Sequence, residues 1–472
     1  MEMRYDDVAW VRSDSEFEEF RKKVIRPDVF AGITSFMAGK RPASRPKDRA
    51  TIAGAGAFNI CYRMDFTDGF SFLLRFPCPG RCMFPEEKLK AEVAVMRLVK
   101  ENTDIPVPEV LESGMEGPCD MGPYILMEFT RSVSSATTQL RAPGYTRGDR
   151  PFLDPNIDEE KLEGLYGEFA KILLQLSRFS FDKIGCLDQE NPREIRKRPL
   201  TMNMNELVQL GGYPRKHLPS TPFESTRAYF VNLAETHLMH LMTQRNDAVD
   251  SEADCRRKLM VRKILLKFAR ASHLGLDQST SKKFQLYCDD LRPSNMLVDE
   301  NLNVVAVIDW EFTYAAPCEY TCTPPWWLLL ETPEDWTSGI TDWKNNYEPR
   351  LDIFLRAMKR QEDISIRNGV LSESQRLSDQ MRENWDNGNF WLCYGMRKSW
   401  ALDIVWPYLD RKLFGGNEAL EDRIALLDSE KRTGLLTEVE LQEIKTLTRK
   451  KMEMEMEQSQ RRKLDEWDEK EK

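Results

Sequence analysis

Histidine is scarce in this sequence, with four residues in a chain of 472. They are His217, His237, His240 and His273, and none lies in a stretch that carries other candidate catalytic groups. Hydrolases with a serine or cysteine nucleophile use a histidine as the general base. The distribution therefore argues against a histidine-based hydrolase.

Long apolar runs and a basic domain are also missing. No run approaches the ~20 apolar residues that a membrane-spanning helix needs, and the start, MEMRYDDVAW, lacks a basic segment followed by an apolar one. The net charge is −9, and a chain without a basic patch is poorly suited to nucleic acid. We therefore expect a soluble, cytoplasmic protein with no membrane and no nucleic-acid partner.

Cysteine is present but scattered. The ten cysteines include one close pair, Cys78 and Cys82, and no second pair stands at the spacing that a zinc site with four ligands needs. We interpret all of them as free thiols. The alternative is a structural metal at the close pair.

Composition and periodicity divide the chain into four parts. A lead-in segment comes first, followed by a short part with strand patterns and one helix, a long and mostly helical part, and a charged tail. The boundaries are 1–46, 47–129, 130–416 and 417–472.

The two ends of the chain have simple predicted structures. In the lead-in segment we predict one helix, over 14–24, capped by Asp14 or Ser15, and then a loop of Gly, Pro and basic residues that ends in RPKDR. The tail has helix-forming composition and few apolar anchors, which predicts a solvated helix. The alternative is a coiled coil that binds a protein partner, although the apolar positions keep no heptad repeat.

The short second part predicts a sheet with one helix. In FSFLLRF, alternation places Arg75 on the face opposite the phenylalanines Phe70, Phe72 and Phe76. A helix is predicted over 86–101, and GPYILMEF predicts a strand over 124–129. The buried stripe of that helix is Leu89, Val93, Met96 and Val99. Later helices are predicted over 161–177 and 225–245.

A hairpin is predicted where the chain reads NMLVDENLNVVAVIDWEF. Two apolar runs, 296–298 and 304–308, flank a polar turn. Residues that enter and leave an antiparallel hairpin lie side by side at its open end, so Asn295 and Asp309 should be neighbours. An amide oxygen and a carboxylate suit a hard cation such as Mg²⁺, and Asp290, just upstream, is then free to accept a hydroxyl proton.

The same stretch, CDDLRPSNMLVDENLNVVAVIDWEF, resembles the aminoglycoside phosphotransferase-like kinases, whose motifs read H-G-D-[LI]-x-P-x-N and [IV]-D-[WF]-[ED]. GAFNICYRMDF, LLRFP, TDIPVPEV and APCEYTCTPPWWLLL extend the likeness to a fungal branch of that family. The resemblance implies a bilobal protein-kinase-like fold of the α+β class, with ATP as phosphoryl donor. It makes Asp290 the catalytic residue and Asn295 and Asp309 the magnesium ligands.

The family likeness also implies a nucleotide site in the second part of the chain. Arg75 would contact phosphate and pair with Glu92 on the following helix, although the family usually has Lys in the strand position. Gly54 and Gly56 belong to AGAGAFN, a turn whose backbone amides could approach phosphate. The other expected nucleotide-binding residues are Phe58, Asn59, Glu128 and Phe129, the last two at the hinge between lobes.

The acceptor site is predicted downstream of the metal motif, where acids alternate with aromatic residues. The candidates are Glu311, Glu319, Trp326 and Trp327, which could bind a cationic acceptor through carboxylates and indole faces. The alternative, that both tryptophans are core residues, follows from the high average burial of tryptophan. The Asp-x-x-Asp motif of antibiotic-modifying relatives is missing here.

Two positions of the catalytic loop depart from the family pattern. Cys288 and Asp289 stand where the family usually has His and Gly. We predict an ATP- and Mg²⁺-dependent phosphotransferase that acts on a small-molecule hydroxyl. The alternatives are a pseudokinase-like binding or scaffold protein and, since no A-P-E motif follows DWEF, less favourably a protein kinase.

Overall fold

A computed structural model of the protein describes residues 6–144, 150–245, 248–275 and 283–470. Within them, a small antiparallel sheet precedes a larger, mostly helical part and a long C-terminal helix. This is the bilobal, protein-kinase-like fold of the α+β class, which confirms the predicted fold class. No helix in these ranges combines the length and apolar character that crossing a membrane requires.

The lead-in segment contains two helices, α1 (Asp7–Val24) and α2 (Pro27–Gly39). The predicted cap at Asp14 or Ser15 is wrong, because Asp6 caps α1 by accepting hydrogen bonds from the amides of Val8 and Ala9 at 3.1 and 3.2 Å. The prediction of a loop after α1 is also wrong, because α2 forms within that stretch. A proline suits the first position of a helix, and the apolar residues of α2 recur every four positions. They are Val29, Ile33 and Met37, all buried.

The small lobe is built on a five-stranded antiparallel sheet with the order β1-β2-β3-β5-β4. Helix α3 (Pro85–Asn102) lies between β3 and β4 in the chain, and its predicted buried stripe is confirmed. The strands are β1 (Thr51–Ala55), β2 (Asn59–Asp65), β3 (Ser71–Pro77), β4 (Val110–Gly114) and β5 (Tyr124–Glu128).

The two faces of β3 have different environments, as the alternation predicts. Phe72, Leu74 and Phe76 are buried in an apolar cluster shared with α1 and α2. Arg75 points to the opposite side, towards the large lobe. The lead-in helices therefore cover the outer face of the sheet and leave its inner face to the cleft.

The large lobe contains short strand pairs among many helices. Strand β10 pairs with β11 and β6, β9 pairs with β12, and β7 pairs with β8. The strands are β6 (Ser134–Ser135), β7 (Cys186–Leu187), β8 (Ile195–Lys197), β9 (Gln285–Cys288), β10 (Met296–Val298), β11 (Val304–Val307) and β12 (Thr313–Ala316). The helices are α4 (Ala136–Leu140), α5 (Glu159–Leu176), α6 (Met202–Leu210), α7 (Thr226–Thr243), α8 (Glu252–Arg270), α9 (Cys318–Thr321), α10 (Ile340–Arg367), α11 (Ser378–Asp386), α12 (Asn389–Arg397), α13 (Leu402–Phe414), α14 (Glu430–Thr433) and α15 (Glu438–Lys470).

The loop between β3 and α3 is tied to the large lobe. The side-chain amide of Asn205 on α6 donates to the carbonyl of Arg81 and accepts from the amide of Met83, both at 2.8 Å. Gly80 in this loop has φ +75°, and a Cβ there would come within 2.2 Å of the carbonyl oxygen of Ser13 on α1. Only glycine allows this close approach.

The charged tail is docked on the large lobe over part of its length. Helix α15 packs against α8 and buries Ile444, Thr448 and Lys451. The prediction of a solvated helix is therefore wrong for this stretch, because the tail has more buried anchors than its composition suggests. A protein partner for the tail stays a prediction.

The tail is also held by an ion-pair cluster. The carboxylate of Asp410 on α13 binds the guanidinium of Arg423 at 2.9 Å and that of Arg432 at 2.8 Å. Asp410 and Arg423 are fully buried. Two arginines from the tail thus share one buried carboxylate of the large lobe.

None of the ten cysteines, all of which lie in the described ranges, forms a disulfide, in agreement with the prediction of thiols. Among the described residues, no group of three or more His, Cys, Asp and Glu side chains could hold a metal ion. The alternative of a structural metal at Cys78 and Cys82 therefore has no further ligands within that part of the chain.

Acid should destabilise the large lobe through His237. The imidazole is buried, with Nε2 3.1 Å from the carbonyl oxygen of Met396, and burial together with Arg262 lowers the pKa of His237 to about 4. The unfolded chain binds this proton near pH 6.5, so stability is lost as pH falls from 6.5 towards 4. Asp403 and His240 are the other titratable groups near this imidazole.

We expect the difference in unfolding free energy between wild type and His237→Gln to shrink by about 2 kcal/mol between pH 7.5 and pH 4.5, since glutamine does not titrate. Urea unfolding at the two pH values measures this. His217→Gln, at an exposed site, serves as control. A difference independent of pH would contradict the prediction.

Candidate active site

The hairpin of β10 and β11 brings together the two predicted metal ligands. Met296 pairs with Val307, and the amide of Ile308 donates to the carbonyl of Asn295 at 2.9 Å. Asn295 and Asp309 consequently lie at the open end of the hairpin. Asp309 has φ +57°, a left-handed conformation that Asp tolerates better than most residues.

Asp290 lies beside Asn295 on the preceding loop. The amide nitrogen of Asn295 donates to the backbone carbonyl of Asp290 at 2.8 Å and to its carboxylate at 3.0 Å. The other carboxylate oxygen is 2.9 Å from Nε of Arg292. Burial raises the pKa of Asp290 to about 6, against the opposing effect of Arg292. A carboxyl group with this pKa is ionised at neutral pH and can accept a proton.

The chemistry of the donor set fits a hard cation. Because the amide nitrogen of Asn295 is hydrogen-bonded to Asp290, its amide oxygen, which the hydroxyl of Ser294 approaches at 3.3 Å, is the atom that can serve as a ligand. Together with the carboxylate of Asp309, it offers the few oxygen ligands that Mg²⁺ takes from a protein when phosphate and water complete its shell.

Arg75 connects the small lobe to this metal-ligand pair. Its guanidinium lies 2.7 Å from Glu92, 2.8 Å from Asp309 and 3.2 Å from Glu311. The pairing with Glu92 was expected from the family relation, whereas the contacts with the two large-lobe carboxylates were not. The side chain of Arg75 is 5% exposed, so its ion pairs with these carboxylates are buried.

Glu311 contacts other buried polar side chains besides Arg75. It accepts a hydrogen bond from the side-chain amide of Asn59 at 2.9 Å and forms an ion pair with Lys88. Lys88 also donates to the amide oxygen of Asn59 at 2.8 Å. Burial alone would raise the pKa of Glu311, but Lys88 and Arg75 outweigh it and lower the pKa. Glu311 was predicted at the acceptor site, and Lys88 was not predicted.

The glycine turn between β1 and β2 faces the cleft. The amide of Gly56 donates to the carbonyl of Asn59 at 2.9 Å, and a Cβ at Gly54 would meet nothing within 4 Å. Phe58 packs edge-on against Phe312, with ring centroids 5.4 Å apart. The four predicted residues of this region all line the same cavity. The prediction of one continuous turn is wrong at its ends, because Gly54 lies on β1 and Asn59 begins β2.

The hinge residues Glu128 and Phe129 also line the cavity. Their amides are engaged within the small lobe, donating to the carbonyls of Glu109 at 2.9 Å and Ser71 at 3.0 Å. Thr130, the next residue, lies at the same end of the cleft. It lies two residues after the end of β5 and was not predicted.

The cleft, about 640 Å³ in volume, continues past Asp290 to a region that we call the acceptor end. Its walls are formed by α6, by the segment that follows Pro325, and by Lys398, the residue after α12. The lining residues there are Met202, Glu206, Trp326, Thr332 and Lys398. Only Trp326 was predicted, because the other residues come from distant parts of the chain with no local motif.

The predicted acceptor residues divide between the cleft and the core. Trp326 lines the acceptor end, where the ammonium of Lys398 lies 5.1 Å from the centre of a Trp326 ring. Trp327 is a core residue packed against Phe169 at 5.2 Å. Glu319 lies on the short helix α9, outside the lining of the cleft, with the thiol of its neighbour Cys318 at 3.5 Å.

The two adjacent acids of the predicted catalytic loop have different partners. Asp289, which replaces the usual glycine, binds Arg397 at 3.2 Å and accepts from the amide of Met202 at 3.2 Å. Cys288, which replaces the usual histidine, has its sulfur 3.9 Å from the carbonyl oxygen of Glu311, and burial raises its pKa so that it stays a thiol. The loop is therefore braced by Asp289 and Arg397.

Several known proteins are similar to this chain. The sequence pattern of the APH family, described as "Phosphotransferase enzyme family", matches residues 51–320, more than half of the chain. Altered inheritance of mitochondria protein 9 from Debaryomyces hansenii is 22% identical over 60% of this chain and 50% of its own length. Clavilactone A biosynthesis cluster protein Y from Ampulloclitocybe clavipes is 22% identical over 59% of this chain and 63% of its own.

Two solved structures are also similar. A thermostable mutant of aminoglycoside phosphotransferase APH(4)-Ia, in complex with ADP and hygromycin B, is 14% identical, with a TM-score of 0.42 over 82% of this chain and 100% of that chain. Macrolide 2'-phosphotransferase type I is 13% identical, with a TM-score of 0.38 over 85% of this chain and 98% of that one.

Proposed function

The chain belongs to the phosphotransferase enzyme family, and from this premise we propose that it transfers the γ-phosphoryl group of ATP to a hydroxyl group of a small molecule. The observation that carries the proposal is the convergence of Asp290, Asn295 and Asp309 at one point of the cleft, with Arg75 opposite. These are the groups that phosphoryl transfer needs for proton acceptance, metal binding and charge neutralisation.

Asp290 would act on the acceptor. Its carboxylate takes the hydroxyl proton while the acceptor oxygen bonds to the γ-phosphorus and the bond to the bridging oxygen of ADP breaks. Asn295 holds this carboxylate in place through its amide nitrogen. Asn295 and Asp309 would hold Mg²⁺, which supplies positive charge to the phosphates when bound. Catalysis is then mainly positioning and electrostatic stabilisation.

The charges near the acceptor end favour an acceptor that is not a polycation. Glu334 already binds Lys398 at 3.5 Å and accepts from the hydroxyl of Tyr394 at 2.6 Å. Glu331 binds Arg150 at 3.3 Å. Because these two carboxylates are paired with the chain's own cations, and Glu206 is the glutamate that lines the acceptor end, we propose a small hydroxyl compound with at most one ammonium group. The proposed pocket therefore differs from the site for a cationic acceptor that the sequence predicted.

A second candidate function is nucleotide-dependent binding without catalysis. The observation in its favour is the ion pair between Arg75 and Asp309. In this pair the predicted metal ligand, Asp309, is bound by the cation that is expected to contact phosphate. In this case the fold would act as a pseudokinase-like binding protein. The cytoplasmic location stays a prediction for either function.

Nucleotide-dependent stability tests both candidates, and ATP turnover separates them. We expect ATP and ADP with MgCl₂ to raise the unfolding temperature, by the equivalent of about 2.7 kcal/mol at a hundred times Kd. ATP consumption is then screened across sugars, alcohols, amines and peptides. Stabilisation with no turnover on any acceptor would favour the binding protein, and no stabilisation by any nucleotide would contradict both.

A further inference from the structure

Lys88 is a buried cation behind the wall of the cleft, where it contacts two residues that line it, Asn59 and Glu311. It lies one helical turn before Glu92 on α3 and its side chain is 1% exposed. A buried ammonium is costly unless it is paired and hydrogen-bonded. Lys88 satisfies this condition with two partners, the carboxylate of Glu311 and the amide oxygen of Asn59.

The partner carboxylate joins three small-lobe groups to the large lobe. One oxygen of Glu311 accepts from Asn59 at 2.9 Å and from Arg75 at 3.2 Å, and it is also the atom that pairs with Lys88. Glu311 itself follows Asp309 by two residues. A single oxygen atom therefore connects the glycine turn, helix α3 and the metal-ligand end of the hairpin.

The balance of charge around this carboxylate oxygen of Glu311 depends on Lys88. Arg75 and Lys88 face three carboxylates, those of Glu92, Asp309 and Glu311. Without Lys88, Arg75 would be the counter-ion of all three acids and would be held more tightly by them. A guanidinium that must contact phosphate has to give up some of these contacts, because it has a fixed number of donors.

We propose that Lys88 is a positioning residue for the nucleotide phosphates. It neutralises Glu311, which leaves Arg75 available to phosphate, and it fixes Asn59 at the base of the glycine turn. Arg75 would then contact the phosphates, and Lys88 would balance the acidic groups behind it. The inference rests on the proposed function, since it requires that the cleft binds a nucleotide.

Calorimetric titration with ADP, with and without MgCl₂, tests this inference. We expect Lys88→Met to bind ADP at least about tenfold more weakly than wild type, because it leaves a buried carboxylate without its counter-ion. Lys88→Met combined with Glu311→Gln should recover most of the affinity, since the pair is then removed together. Lys90→Met, on the exposed side of α3, is the matched control and should bind as wild type does.

Thermal unfolding of each variant distinguishes positioning from a structural role. A merely structural lysine would lower the unfolding temperature and leave the Kd for ADP unchanged, which would overturn the inference. A double variant that binds no better than Lys88→Met would also overturn it. If Lys88→Met does not fold, Lys88→Gln, which keeps a donor, is expected to show the same weakening. Wild type that binds no ADP would overturn the proposed function as well.

Discussion

Asp290→Asn is expected to lower turnover about 10³-fold while ADP binding stays within about threefold of wild type. Asparagine keeps the size of the side chain and an oxygen that can accept from Asn295, but it cannot take the acceptor's proton. The carboxylate is held by two neighbours, at 3.0 Å by Asn295 and at 2.9 Å by Arg292. The substitution therefore removes the chemistry and largely keeps the geometry.

The rate of ATP consumption and the Kd for ADP are the two quantities to compare in Asp290→Asn. Glu300→Gln, in the exposed turn of the same hairpin, controls for the loss of one negative charge in this region. Equal turnover in wild type and Asp290→Asn would refute the assigned role. Loss of ADP binding would mean instead that the carboxylate is needed to keep the nucleotide site folded.

Asp410→Asn is expected to destabilise the protein by about 3–5 kcal/mol. The carboxylate is the shared counter-ion of Arg423, which is fully buried, and of Arg432, which is 9% exposed. Removing it leaves two guanidinium groups in an environment that does not solvate charge. Arg423 keeps only uncharged acceptors and Glu418, which is about half exposed.

Urea unfolding, followed by tryptophan fluorescence, measures the effect of Asp410→Asn. Asp422→Asn is a suitable control, because Asp422 is an exposed acid beside Arg423 in the tail. A loss below about 1 kcal/mol would show that the cluster behaves like a surface ion pair. The tail would then be held mainly by the apolar contacts of α15.

The sequence was informative where a pattern is local. The hairpin that carries Asn295 and Asp309 could be predicted because two apolar runs and a polar turn are contiguous. Helix α3 could be predicted because its apolar stripe repeats at helical spacing. Arg75 and Glu92 could be paired only through the family resemblance, which supplied a relation between a strand and a helix.

Other parts of the site could not be predicted because they depend on distant contacts. Lys88 looks like an ordinary helix-surface lysine until Glu311, more than two hundred residues later, is placed beside it. Glu206 and Lys398 reach the acceptor end from separate helical regions with no shared motif. The docking of the tail depends on Asp410, which binds Arg423 and Arg432. In the sequence these two arginines look like solvent-exposed charges of the tail.

The attachments between the lobes also determine how the cleft can open. The chain itself crosses at Thr130, and Asn205 fixes the loop before α3 through two uncharged hydrogen bonds. Other contacts join the lobes as well, including the ion pair of Arg198 with Glu87 on α3 at 2.9 Å. The ion pair of Arg75 with Asp309 differs from these contacts because both of its residues line the cleft. A highly charged ligand in the cleft can therefore replace this one attachment and leave the others in place.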